Sequence, residues 1–139
     1  MILGVGLDIC QVSRMAEAIN HPRFLTRVFS ESERAYLTEK GSRAAESAAG
    51  LYAAKEAFLK ARGTGIDSLA LSQIGIDHDA LGRPYYVLGG VYGTEDMAAH
   101  LSISHDGGVA AAVCVLERRE PAGGNEHADD GRSGSGTDA

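Results

Sequence analysis

The sequence predicts an α+β domain built around one long helix. Three observations predict it. Residues 43–62 form an unbroken helical stretch, and its small and apolar side chains, among them Ala48, Ala49, Leu51, Ala54 and Phe58, cover more than one stripe. Such a helix is expected to be packed on most of its sides. Residues 74–88 and 100–116 each read as two short strands about a tight turn. Residues 2–10 form an apolar run, expected to be a buried strand that opens the domain.

The elements follow in order. In the first run a single carboxylate, Asp8, stands near the end, and Gly4 and Gly6 interrupt the apolar residues. Residues 12–20 read as a helix that Pro22 stops. Residues 23–29 read as an irregular or short helical connector. Ser30-Glu31-Ser32-Glu33 has the form of a capping box, with Ser30 as N-cap and Glu33 reaching back to its amide, so a helix is expected over 31–40. Ser42 can cap the long helix and Gly63 can end it. Strands 74–78 and 84–88 flank the turn Ala80-Leu81-Gly82-Arg83, and residues 92–99 are a short helix candidate. Strands 100–105 and 109–116 are joined by Asp106-Gly107-Gly108, a hairpin turn. Beyond about residue 117 the chain is rich in Gly, Ser and Asp and has no apolar residue except alanine. The domain is therefore expected over 1–117, with 118–139 a disordered tail.

Composition bounds the function. The 139 residues suit one domain with a substantial core. No apolar run approaches the roughly 20 residues of a bilayer span. The opening residues have no basic segment ahead of their apolar run and carry Asp8, unlike a secretory signal. Two cysteines, Cys10 and Cys114, sit in strand-like stretches and read as reduced core residues of a cytoplasmic protein. The net charge of −6 disfavours nucleic acid, but it is unevenly placed. From Glu117 onward there are six acids and three arginines, whereas between Arg14 and Arg34 four arginines face three acids. A partner would meet the local patch and not the total charge.

Three groups of residues can carry chemistry. Glu56 and Lys60 are four apart and share a face of the long helix. On an ordinary helix they would be a solvated salt bridge. In so apolar a helix they suit a charged guest, a metal on Glu56 and a phosphate on Lys60. Asp8 either caps the helix that follows or joins Glu56 as a magnesium ligand, since magnesium takes one or two protein carboxylates and fills its other positions with water and substrate phosphates. His105, at the end of a strand with alternating Leu101, Ser102, Ile103 and Ser104, can be a base, a phosphate donor or a turn histidine. Gly63-Thr64-Gly65 is no P-loop; it serves either as a helix end and turn or as a close approach of backbone to phosphate.

Five motifs in order carry a family resemblance: Gly4-Val5-Gly6-Leu7-Asp8-Ile9; Ala53-Ala54-Lys55-Glu56-Ala57-Phe58 with Lys60; Gly63-Thr64-Gly65; Gly82-Arg83-Pro84-Tyr85; and His100 to His105. Together they resemble the holo-acyl-carrier-protein synthases, the small branch of the phosphopantetheinyl transferases, over nearly all of residues 1–117. The resemblance implies an α+β fold with a long helix packed on an antiparallel sheet, and a cytoplasmic homotrimer with active sites between neighbouring subunits. It implies transfer of 4′-phosphopantetheine from coenzyme A to a serine of apo acyl carrier protein, releasing adenosine 3′,5′-bisphosphate, in support of fatty acid biosynthesis.

Residue by residue, the resemblance implies that Asp8 and Glu56 hold Mg2+ and act with Lys60 in catalysis. Lys60, Gly63, Gly65 and His105 would contact the phosphates, with Arg83 and Pro84 near the adenosine end. Glu56, directly or through a bound water, is the first choice to accept the serine proton, with Asp8, Glu33 and His105 as alternatives. Arg14, Arg23, Phe24 and Arg27 would form the carrier-protein surface, a basic face for an acidic partner. The chain departs from the family pattern at Leu51, where an arginine is frequent. That departure leaves a non-catalytic module binding coenzyme A or carrier protein as the alternative. A two-metal phosphohydrolase would need more carboxylates or histidines than this chain shows.

Overall fold

The computed structural model describes residues 1–63, 71–89, 92 and 95–120. Among the described residues, five strands and four α-helices run in the order β1 (Ile2–Gln11), α1 (Val12–Ala18), α2 (Pro22–Val28), α3 (Glu31–Lys40), α4 (Ala44–Arg62), β2 (Ile74–His78), β3 (Pro84–Leu88), β4 (Met97–Asp106) and β5 (Val109–Arg118). The strands form an antiparallel sheet of order β1-β5-β4 and a separate antiparallel pair, β2-β3. Helix α4 lies across the larger sheet and also touches α1, α3 and β2. Its buried residues include Ala48, Ala49, Leu51, Ala54, Phe58 and Leu59, so it is packed on most sides as expected.

The two glycines of β1 are explained by this packing. A Cβ on Gly4 would overlap the carbonyl oxygen of Ala61, and one on Gly6 that of Ala57. The C-terminal half of α4 thus lies directly against the β1 backbone. The N-terminal half crosses β4, where a Cβ on Gly50 would come within 3.1 Å of Ile103 Cγ2. Gly63 closes the helix with φ 75°, a left-handed value that glycine adopts without steric cost. Gly107 and Gly108 both have positive φ and make the β4–β5 hairpin tight.

Several expectations need correction. The first strand is not buried: Val5, Leu7 and Ile9 are 61%, 62% and 69% exposed. Only the alternate face, with Gly6 and Cys10, meets α4. Ser42 does not cap α4, because a 3₁₀ turn, Gly41–Arg43, precedes the helix and no side chain caps it. The helix candidate at 92–99 fails at its end, where Met97 already begins β4. The first helix stops at Ala18, and Pro22 opens α2 at a position where its missing N–H costs nothing. Cys10 and Cys114 are both free and buried. Gly65 and the tail segment 121–139 lie outside the described residues.

Candidate active site

Asp8 faces α4, because it shares the Gly4–Gly6 side of β1. Lys60 reaches across and donates from Nζ to Asp8 Oδ1 at 2.9 Å and to the Leu7 carbonyl at 3.0 Å. Lys60 is therefore tied to the strand carboxylate, not to Glu56 on its own helix. Asp8 is no helix cap: the N-cap of α1 is Gln11, with no side-chain bond.

Glu56 is half-buried one turn before Lys60. Its charge acts on the hydroxyl of Tyr52, as does that of Arg14. The Arg14 guanidinium carbon lies 5.4 Å from the Tyr52 ring centroid. Burial pushes the Tyr52 hydroxyl pKa up, and the adjacent Glu56 charge adds to that shift. Asp8 and Arg14 both act on the Cys10 thiol, which burial holds above its ordinary value. The Arg14 charge thus acts on both Cys10 and Tyr52. Arg14, expected on the docking surface, lies over the Tyr52 ring instead. Tyr52 was not singled out from sequence, where it reads as one more apolar residue of a core helix.

Among the described residues no group of three or more His, Cys, Asp or Glu could hold a metal. Asp8 and Glu56 are the two carboxylates that could serve a hard cation drawing its remaining ligands from water and phosphate. Asp8 keeps a second oxygen beyond its bond to Lys60.

His105 is elsewhere. Its partner is Glu46 on the first turn of α4, with Nδ1 3.3 Å from Oε1. Both line a cavity of about 180 Å³ with Tyr36, His78, Gly82 and Pro84. The rings of Tyr36 and His78 stack there, 4.5 Å apart and 13° from parallel. Leu51 is buried in the same wall. The turn beside the cavity is held by Asp79, whose Oδ1 accepts from the amides of Leu81 and Arg83; the Arg83 side chain is exposed. Glu46 and Glu56 are ten residues apart on α4, about 15 Å along its axis. A single chain therefore presents two clusters, one against each edge strand of the sheet.

Glu33 is no candidate base. It is 2% exposed, and its Oε1 accepts from Lys55 Nζ and the Ser30 amide, both at 2.8 Å, while Oε2 accepts from Ile76 N at 3.1 Å. Arg23 and Arg27 are exposed one turn apart on α2, so the connector is helical. Phe24 between them turns inward and packs on Phe29 and Tyr52 at ring distances of 6.1 and 6.3 Å.

A sequence profile of the 4′-phosphopantetheinyl transferase superfamily matches residues 4–114. The chain belongs to this family. Holo-[acyl-carrier-protein] synthases of Treponema denticola and Oceanobacillus iheyensis are 41% and 43% identical to it. The matches cover 84% and 86% of this chain, and 99% and 100% of those proteins. The crystal structure of a holo-(acyl-carrier-protein) synthase from Bacillus anthracis, in complex with CoA (3′,5′-ADP), superposes with a TM-score of 0.75 at 37% identity. It covers 86% of this chain and 99% of that one. This member of the transferase family has the long helix and antiparallel sheet expected of it. None of its described helices is long and apolar enough to cross a membrane.

Proposed function

We propose that this transferase moves 4′-phosphopantetheine from coenzyme A to a serine of apo acyl carrier protein through a site built around Asp8, Glu56 and Lys60. The observation that carries the reading is the Lys60–Asp8 pair, 2.9 Å apart and one helical turn from a half-buried Glu56. A paired cation and two carboxylates at one spot suit a polyphosphate that arrives with a divalent metal.

In the reaction the serine oxygen attacks the β-phosphorus. The bond from that phosphorus to the bridging oxygen breaks, and adenosine 3′,5′-bisphosphate leaves with the oxygen. Lys60, on its flexible stem, exchanges Asp8 for a pyrophosphate oxygen and offsets the developing charge. Glu56 takes the serine proton, with the Tyr52 hydroxyl in its vicinity. Asp8 and Glu56 would hold Mg2+, which when bound polarises the phosphoryl oxygens. Gly63 and Gly65 would let the backbone approach the phosphates. The cavity holding His105, Pro84 and the Arg83 turn would receive the nucleotide end.

Three copies would complete the site. Val5, Leu7 and Ile9 pair with Val115, Val113 and Ala111 across the sheet, making an apolar strip on the face away from α4. A second copy covering that strip would bring the metal cluster of one subunit toward the nucleotide cavity of the next. The basic face of α2, with Arg23 and Arg27, would meet the acidic carrier protein, and the product would feed fatty acid biosynthesis in the cytoplasm.

Mass spectrometry of an apo carrier protein incubated with the chain, coenzyme A and magnesium tests the reading. A gain of one phosphopantetheine is expected. Binding without that gain would replace the transferase by a binding module.

A further inference from the structure

The geometry points to Glu46 as a positioning residue for His105. This inference rests on the reading that the cavity beside Gly82 and Pro84 takes the nucleotide end of coenzyme A. An imidazole has two nitrogens on opposite sides of its ring, and what one nitrogen bonds decides what the other can do. Here Nδ1 is 3.3 Å from Glu46 Oε1, within ion-pair reach of the carboxylate, and Nε2 lies on the opposite side of the ring. Both side chains are partly exposed at the cavity wall, where a ligand can reach them. The Glu46 carboxylate beside Nδ1 favours the ring orientation that leaves Nε2 for a ligand, and an Nε2–H there donates to a phosphate oxygen.

Glu46 also carries a negative charge, which by itself repels a phosphate. Its effect on a phosphate ligand therefore depends on His105. With the imidazolium between them, Glu46 supports the ligand through the ring. Without the imidazole, Glu46 faces the phosphate as a bare like charge. This reversal of sign distinguishes a positioning role from general support of the fold. The ligand group concerned is the 3′-phosphate, the only phosphate of coenzyme A remote from the pyrophosphate that Lys60 takes.

The test compares coenzyme A with 3′-dephospho-coenzyme A as substrates for the wild-type chain, Glu46→Gln, His105→Ala and the double variant. A lost charge-assisted hydrogen bond corresponds to a KM increase on the order of ten-fold. Glu46→Gln is expected to raise the KM for coenzyme A by roughly that factor while kcat falls far less. The KM for the dephospho form should move little. In the His105→Ala background the same substitution should leave the KM for coenzyme A unchanged or lower it. Calorimetric titration with adenosine 3′,5′-bisphosphate should rank the four proteins in the same order without turnover. A Glu46→Gln variant that keeps full discrimination between the two substrates, or a loss that simply adds to that of His105→Ala, overturns the role of Glu46. If the wild-type chain transfers the arm but does not discriminate at all, the nucleotide reading of the cavity falls, and this inference with it.

Discussion

Lys55 donates to Glu33 at 2.8 Å in a position wholly sealed from water, although 22 residues separate them. The same ammonium donates to the carbonyls of Leu71 and Ile74 at 3.0 and 2.7 Å. One buried cation therefore ties α3, α4 and the start of β2 together. Burial pulls its pKa down, and the Glu33 charge opposes that shift. Removing one partner leaves the other charge buried and unpaired. Lys55→Ala is expected to destabilise the chain by about 3–5 kcal/mol. Glu33→Gln with Lys55→Met should cost clearly less than the sum of the two single changes. Urea unfolding of the four proteins measures both, and additive losses would mean that the pair does not act as a unit.

Asp8→Ala and Glu56→Ala should each reduce transfer on the order of 100-fold or more, because each removes a charge from a site with only two carboxylates. Thermal unfolding should be little changed, since neither carboxylate is part of the core. Full activity in either variant at ordinary magnesium would dismantle the proposed site.

Lys60→Ala should weaken coenzyme A binding and slow turnover, together on the order of 10- to 100-fold in kcat/KM. Lys60→Arg keeps the charge and should recover part of the loss. Kinetics identical to wild type in Lys60→Ala would mean that Lys60 serves only its bond to Asp8.

The docking surface is tested most cleanly on α2. Arg14 touches Tyr52, so reversing its charge disturbs Glu56 as well as any partner. Arg23→Glu with Arg27→Glu changes only exposed charges. The KM for carrier protein should rise several-fold or more and that for coenzyme A should hold, with wild-type activity falling as sodium chloride is raised. Equal effects on both substrates would remove this face as the docking site.

The alkaline limb of stability carries a sign. Burial pushes the Cys114 thiol from 9.0 up to about 11, so the folded chain holds this proton where the unfolded chain has released it. Its contribution is intact below pH 9 and is lost between 9 and about 11, at no more than about 1.4 kcal/mol per pH unit. The Cys10 thiol and the Tyr86 hydroxyl are raised in the same direction. Melting temperature followed from pH 8 upward should fall less steeply in Cys114→Ala than in the wild type, whatever the offset between them. Parallel curves would refute the assignment.

Much of the fold was legible because local chemistry settles it. The Ser30–Glu33 box placed α3 to the residue, and turn glycines placed the two hairpins. The exposure of β1 was not legible, since an apolar run reads the same whether its own core or another molecule covers it. The motif residues were legible as a set, but their partners were not. That Lys60 meets Asp8, that Lys55 meets Glu33 and that Glu46 meets His105 depends on how α4 crosses the sheet, which no short spacing encodes.

The bare α-carbons at positions 4 and 6 act as a gauge. Because α4 rests on the β1 backbone there, the Leu7 carbonyl and the Asp8 carboxylate fall within the span of a single lysine side chain. An alanine at either position would leave every acid and base of the site in place and alter only the gap between strand and helix. Lys60 has a fixed length, so any widening of that gap comes out of the reach it has left for a phosphate. The separation between Lys60 and Asp8 is thus specified by two methyl groups that are not there.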